Sequence, residues 1–354
     1  MSKFLSDKFS AIEPYVPGEQ PKDFKYVKLN TNESPFPPSP NAIKFANEKA
    51  KTLNLYSDPE CTPLVKEAAR LFGIGEDEIV FTNGSDDSLG FAFSAFCDEK
   101  HPAVFADITY GFYPVFATYY GVPYETIPLK DDFTINVDDY VGINKTIFIA
   151  NPNAPTAIAL ELCDIEKIVS SNPHNIVVID EAYVDFGAES AMSLIHKYDN
   201  LLVVRTFSKS RSMAGARLGF AVGNKEIILD LNTIRFSTNP YNINSMTMSA
   251  GIGALMDEEY TQRNIATVIE NRDYTMEKLK KLGFTMTDAK ANFIFAKHDK
   301  IGGRELYEEL KKKGVLVRHF EKDRIRDYNR ITIGTREQMD ILIAKIKEIL
   351  EETK

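Results

Sequence analysis

Between residues 64 and 222 the chain alternates short apolar runs with stretches of helical period. Leu64–Phe72 predicts a helix, Ile79-Val80-Phe81 a short buried strand, and Asp86–Phe96 a second helix. Ala103–Ala106, Pro123–Ile127 and Thr146–Ala150 predict strands, and Ile165–Ser170 a helix. Ile176-Val177-Val178-Ile179 is wholly apolar, as strands covered on both faces of a parallel sheet tend to be. Leu201–Val204 and Leu218–Val222 complete the series. Such alternation implies an α/β layer around a mainly parallel sheet. After about Met256 the pattern changes. A long helix is predicted over Glu258–Leu282, with Ile265, Val268, Ile269, Met276 and Leu279 on one side. Short strands follow near Phe293–Ala296, Val315–Val317 and Arg330–Ile333. Met339, Leu342, Ile343, Ile346, Ile349 and Leu350 then mark a last helix. The expected organisation is a proline-rich arm over 1–40, a large domain over 41–256, and a smaller α+β domain over 257–354. In the arm, Pro14-Tyr15-Val16-Pro17-Gly18 and Ser34-Pro35-Phe36-Pro37-Pro38-Ser39-Pro40 favour extended chain.

Composition narrows the class. The chain has 354 residues, 44% hydrophobic and 26% charged, which is ordinary for a soluble enzyme. A formal net charge of -9 and the lack of any basic tract argue against nucleic acid as a partner. No apolar run approaches the roughly 20 residues that span a bilayer, and the first residues carry no signal-peptide core. Three widely spaced cysteines, Cys61, Cys97 and Cys163, form neither a disulfide framework nor a zinc site and suit a reducing cytoplasm. The five histidines have no metal-ligand spacing, so no metal is expected. Gly251-Ile252-Gly253 lies in a helical context, without the strand–turn–helix setting of a dinucleotide site.

Candidate chemistry collects at four predicted strand ends. Gly84-Ser85-Asp86 opens a helix directly after a strand, and a helix N-terminus attracts a phosphate; simple capping by Ser85 or Asp86 would give the same pattern. Tyr110, just past the next strand, offers a ring for stacking on a flat cofactor or for ordinary packing. Asp180 closes the apolar Ile176–Ile179 strand, where a carboxylate is costly without a cationic partner. A protonated pyridine nitrogen is such a partner, and Tyr183 follows three residues later. Lys209 lies past Leu201–Val204, after Ser208 and before Arg217, in a segment suited to a Schiff base beside an anion site.

On these segments the chain resembles the fold-type-I pyridoxal phosphate aminotransferases, and within them the branch acting on histidinol phosphate. The resemblance spans nearly the whole chain. Its motifs are Leu29-Asn30-Thr31-Asn32-Glu33-Ser34-Pro35, Tyr56-Ser57-Asp58-Pro59, Asn151-Pro152-Asn153-Ala154-Pro155-Thr156, Asp180-Glu181-Ala182-Tyr183, Ser208-Lys209 and Arg330-Ile331-Thr332-Ile333-Gly334-Thr335. It implies a seven-stranded, mainly parallel sheet in an α/β/α sandwich, a smaller α+β domain, and a cytoplasmic homodimer across which the arm packs. It further implies that Lys209 forms the Schiff base with pyridoxal phosphate and that Asp180 pairs with the ring nitrogen. Tyr183 and an asparagine of the 151–156 turn, Asn153, would contact the phenolic oxygen. Tyr110 would stack on the ring, while Gly84, Ser85, Asp86, Ser208, Arg217 and, from the other subunit, Tyr56 would hold the phosphate. Tyr15, Asn32, Arg318 and Arg330 would meet substrate: Arg330 the carboxylate of glutamate, Tyr15 and Arg318 the phosphate of histidinol phosphate. Three positions depart from the family pattern. Ala154 replaces asparagine, Ala157 replaces glycine and so implies a turn without positive φ, and Arg211 replaces an aromatic and adds charge near the cofactor.

The implied reaction is a two-stage amino transfer between histidinol phosphate and 2-oxoglutarate or glutamate. Lys209 would act as general base once freed from the cofactor. Aromatic amino-acid aminotransferases share almost every motif, and threonine-phosphate decarboxylases share the architecture. A non-catalytic cofactor-binding regulator would normally carry an added DNA-binding segment, and no basic stretch offers one.

Overall fold

A computed structural model describes residues 2–9, 12, 18–21 and 24–352. The chain runs β1 (Val27–Lys28), α1 (Pro40–Lys49), α2 (Thr62–Phe72), β2 (Ile79–Thr82), α3 (Ser85–Phe96), β3 (Ala103–Ala106) and α4 (Tyr113–Tyr120). It continues through β4 (Tyr124–Ile127), β5 (Thr146–Ala150), α5 (Leu162–Ser171), β6 (Val177–Asp180), β7 (Leu201–Thr206), β8 (Gly219–Gly223), α6 (Lys225–Thr238) and α7 (Ser245–Met256). Next come α8 (Glu258–Lys281), β9 (Phe284–Met286), β10 (Phe293–His298), α9 (Gly303–Lys312), β11 (Val315–Leu316), β12 (Arg318–His319), β13 (Asn329–Thr332) and α10 (Arg336–Glu352).

Seven strands form one sheet in the order β2-β8-β7-β6-β5-β3-β4. β8 pairs antiparallel with both β7 and β2, while β3, β4, β5, β6 and β7 pair in parallel. Because side chains alternate across a strand, one sheet feeds two cores. Ile147, Ile149, Val177, Ile179, Leu201 and Val203 pack with Leu64 of α2 and Ile165 of α5. Phe148, Val178, Leu202 and Val204 face the other way, against Leu89 and Phe93 of α3 and Leu231 of α6. The result is an α/β/α sandwich. The parallel strands and β2 all end on one edge, which is where α/β proteins place ligands.

A second sheet, order β12-β13-β10-β9, is wholly antiparallel and shares a core with α8, α9 and α10 through Ile294, Ile331, Leu306, Leu342 and Ile346. β1 pairs in parallel with β11, so the chain before α1 is stitched to this second body. β11 belongs to that short pairing rather than to the four-stranded sheet. No helix of the described residues is long and apolar enough to cross a membrane.

One backbone expectation is overturned. Ala157 takes φ 64, the left-handed conformation that its side chain was expected to avoid. For a non-glycine residue this costs about 1–2 kcal/mol. Its surroundings fix it: Ala157 N donates to Asn153 O at 2.7 Å, Lys290 N donates to Ala157 O at 2.8 Å, and the residue is fully buried.

Gly253 also acquires a structural role. A Cβ there would lie 2.4 Å from the backbone C and O of Asn41, so α1 and α7 approach as closely as their backbones allow. A helix-interior glycine-to-alanine change ordinarily gains about 1 kcal/mol, but overpacking costs about 1–3 kcal/mol. We expect Gly253→Ala to lower the denaturant midpoint of unfolding. A raised midpoint would contradict so close an approach.

Candidate active site

β6 delivers Asp180 to the edge of the sheet. Its side chain is buried, accepting from the Tyr113 hydroxyl at 3.1 Å and from Ala182 N at 3.2 Å. Burial pushes its pKa up to about 6, although both hydrogen bonds and the charge of Lys209 act in the opposite sense. Lys209 stands in the loop after β7, its Nζ 5.5 Å from the centre of the Tyr183 ring.

That loop is held from behind by a buried charged cluster. Ser210 donates to Asp185 Oδ2 at 2.5 Å, Arg205 pairs with Asp185 Oδ1, and Arg205 Nε lies 3.9 Å from Glu181 Oε2. Glu181 also accepts from Ser190 Oγ and Ala191 N, both at 2.6 Å. Burial raises the Glu181 carboxyl to about 7. Burial acts on Asp185 in the same sense, but Arg205 and Ser210 hold it below the ordinary carboxylate range.

On the other side, α3 starts after Gly84, which supplies no side-chain cap. Gly219 makes the approach possible, because a Cβ there would fall 2.3 Å from Ser85 N and 2.4 Å from Gly84 C. Arg217 Nη2 donates to Asp86 Oδ2 at 3.0 Å, and the Tyr110 hydroxyl donates to Asp86 Oδ1 at 2.8 Å. Ser208 is buried beside Thr206, whose Oγ1 accepts from Ser208 N at 3.1 Å. A helix start without a side-chain cap, a guanidinium and a buried hydroxyl make a cradle for a phosphate.

Ser85, Asp86, Tyr110, Asp180, Tyr183, Ser208, Lys209 and Arg217 line one cavity of ≈ 340 Å³. A neighbouring cavity of ≈ 430 Å³ shares Tyr110, Ala154 and Tyr183 with it and adds Arg318 and Arg330. Arg330 Nη2 donates to Asn30 O at 3.1 Å, and its guanidinium lies over the Phe293 and Phe320 rings. Arg318 lies over Phe320. Phosphate cradle, buried carboxylate and lysine amine thus surround one chamber, with two arginines in the next. A phosphorylated pyridine aldehyde fits this donor set.

Other expected residues fall elsewhere. Asn153 spends both amide hydrogens, on Ile108 O and Thr156 Oγ1, each at 2.9 Å, and lines a different cavity. Asn151 lines that same cavity and bonds Leu160, so neither asparagine reaches the lysine chamber. Arg211 adds no charge there: it donates to Ala254 O at 2.9 Å and to Glu258 Oε2 at 2.8 Å, over Phe207. Tyr56 is 84% exposed, stacked on Tyr241 with ring centres 4.6 Å apart. Gly84 sits against Arg217 rather than in the cavity lining. Asn32 does not line the chamber but donates to the Tyr183 hydroxyl at 3.0 Å. Tyr15 lies outside the described residues. Sequence reasoning missed Tyr113, three residues after Tyr110 in the same strand-end segment, and the Glu181–Arg205–Asp185 cluster. It also missed Glu33, which lines the lysine cavity paired with Lys28 at 2.6 Å.

The family of class I and II aminotransferases matches residues 25–346. Histidinol-phosphate aminotransferase of Brachyspira hyodysenteriae is 52% identical over 353 residues, covering 99% of this chain and 100% of that protein. That of Clostridium botulinum (strain Kyoto / Type A2) is 46% identical over 351 residues, 99% of both. The solved structure of histidinol-phosphate aminotransferase from Sinorhizobium meliloti in complex with pyridoxal-5'-phosphate superimposes with a TM-score of 0.85 at 22% identity, over 92% of this chain and 91% of that one. At that identity the likeness speaks for the fold.

The Asp180 carboxyl supplies a pH signature. Its folded pKa of about 6 stands above the ordinary 3.8, so ionisation is harder in the folded protein. The resulting penalty is absent below about pH 4, grows as pH rises toward 6, and is complete above it. Asp180→Asn should therefore stabilise the cofactor-free protein at pH 8 by on the order of 2 kcal/mol, with the gain vanishing near pH 4. Unfolding midpoints across that range would show it, and a difference independent of pH would rule the buried charge out as its source.

Proposed function

This chain belongs to the class I and II aminotransferases, and from that membership we propose that it moves an amino group between histidinol phosphate and 2-oxoglutarate, with pyridoxal phosphate as cofactor. The observation that carries the reading is the joining of two chambers: one combines Lys209, Asp180 and the phosphate cradle, and the other brings Arg318 and Arg330 to its border. When bound, pyridoxal phosphate supplies an electron sink for the pair released as the substrate's C–H bond breaks.

The residues divide the work. Ser85 and Asp86, through their backbone N–H groups, hold the phosphate together with Ser208 and Arg217. Arg217 exchanges its exposed pairing with Asp86 for that contact, at little cost because surface ion pairs contribute about 0–1 kcal/mol. Tyr110 covers the ring. Asp180 keeps the ring nitrogen protonated, which answers the unfavourable burial of its own charge. Tyr183 donates its hydroxyl hydrogen to the phenolic oxygen. Lys209 would hold the cofactor by its amine and, once free, its neutral amine would accept the proton released by the substrate carbon and hold it as an ammonium until it is returned.

Arg318 and Arg330 receive the anionic ends of the two substrates in turn, since a guanidinium fork fits phosphate and carboxylate alike. We place two copies together through the patch of Leu53, Leu55, Tyr56 and Tyr241, whose large apolar side chains are exposed. Tyr56 of each copy then reaches the phosphate cradle of the other. A biosynthetic enzyme with three free cysteines suits the cytoplasm.

Purified protein given pyridoxal phosphate, histidinol phosphate and 2-oxoglutarate should form glutamate, with Lys209→Ala reducing turnover to background. Asp180→Ala should lower kcat/KM on the order of 10²-fold, the scale of a lost preorganised charge. Glutamate formed from phenylalanine or tyrosine but not from histidinol phosphate would move the substrate to the aromatic class, and carbon dioxide release would make the chain a decarboxylase. Wild-type turnover in Lys209→Ala would end the reading.

A further inference from the structure

Hydrogen inventory around Asn32 shows which way the Tyr183 hydroxyl points. Asn32 is 1% exposed and takes φ 55, a conformation that asparagine tolerates better than most side chains. Its backbone N–H can only donate, and it donates to Thr332 Oγ1 at 3.0 Å. The Thr332 hydroxyl therefore turns its own hydrogen elsewhere, and its other partner is Asn32 Oδ1 at 3.1 Å. That identifies Oδ1 as the acceptor end of the amide, so the nitrogen end is the one that faces Tyr183, donating at 3.0 Å. Asn292 Nδ2 holds the carbonyl of Asn32 at 3.0 Å and fixes the segment from a third side.

Among the described residues, Asn32 is the hydrogen-bond partner recorded for the Tyr183 hydroxyl. With a lone pair occupied by an N–H donor, the phenolic hydrogen has to point away from Asn32. Tyr183 lines both the lysine chamber and the neighbouring one. We propose that Asn32 is a positioning residue that commits the Tyr183 hydroxyl as a hydrogen-bond donor into the cofactor chamber, under orders from Thr332 on β13. This rests on the aminotransferase reading above and deepens it.

The arrangement has two consequences. First, a donor at Tyr183 faces a chamber that Asp180, a buried acceptor, also lines. A bound ring would be held by opposite charges at two points, stabilising an oxyanion at one and a protonated nitrogen at the other. Secondly, Thr332 shares a strand face with Arg330, which bonds Asn30 O. β13 therefore grips the 30–32 segment at two successive positions, and one grip ends at the cofactor while the other borders the substrate chamber.

The test compares the pH titration of the visible band of the cofactor-loaded protein in wild type, Asn32→Asp, Tyr183→Phe and the double variant. A carboxylate can only accept, so Asn32→Asp turns the Tyr183 hydrogen away from the chamber. The band's midpoint should rise by about one pH unit, the scale of a lost hydrogen bond to a charged group. In the Tyr183→Phe background the same substitution should leave the midpoint where Tyr183→Phe alone puts it. Asn32→Gly, which keeps the left-handed backbone available, should move the midpoint in the same direction as Asn32→Asp. Equal shifts in both backgrounds would show that the aspartate acts through its charge and would overturn the proposal, as would an unmoved midpoint in Asn32→Asp. A wild-type protein with no visible band would overturn the cofactor reading itself, a result distinct from either.

Discussion

A carboxylate buried at the end of an apolar strand is the constraint around which the site is arranged. Burial raises the Asp180 pKa to about 6, although a tyrosine hydroxyl and one backbone N–H donate to the carboxylate and act in the opposite sense. Removing an uncompensated charge from water costs several kcal/mol. On the proposed reading, a cationic ring nitrogen held at this edge of the sheet would supply the partner that the carboxylate lacks.

The sheet order explains how the remaining groups meet there. β6 ends at Asp180, β7 leads to Lys209, and β2 leads to the start of α3, all on one edge. β8, the antiparallel strand, returns between β7 and β2 and places Gly219 against the first residues of α3. The Lys209 loop leaves this edge through Ser210, whose hydroxyl is bound by Asp185, itself paired with Arg205 of β7. Polar anchors of this kind are fully satisfied, which is why a reactive loop can be rigid without being hydrophobic.

Strand-end chemistry was the most legible part of the sequence. Asp180 stands directly after a wholly apolar run, where a polar residue has few structural explanations, and Lys209 follows another such run after four intervening residues. The long helix over Glu258–Lys281 and the last helix were legible for the same reason that amphipathic stripes always are. α7 was not assigned as an element, because Met248, Ala250, Ala254 and Leu255 are buried around much of its circumference and leave no polar face to set a period. α4 was hidden by Pro114 in its first turn and by its short length. Tyr113 was missed because nothing local marks an aromatic as a carboxylate partner; its contact with Asp180 spans 67 residues of chain. Asn153 lines a different cavity from Lys209, and the reason is again one of long-range contacts. Its motif position drew attention, whereas one of its side-chain hydrogen bonds closes its own turn at Thr156 and two tie that turn to Ile108 and Thr109. The positive φ of Ala157 likewise depends on Lys290, which no local pattern could connect to it.

In the proposed reaction Lys209 and Asp180 hold pyridoxal phosphate between them for amino transfer to and from histidinol phosphate. The most direct measurement is a visible absorption spectrum of the purified protein before and after histidinol phosphate is added, and again after 2-oxoglutarate. A visible band that bleaches with the first and returns with the second is expected. A protein that shows no such band, even with pyridoxal phosphate supplied in excess, would contradict the proposed reaction.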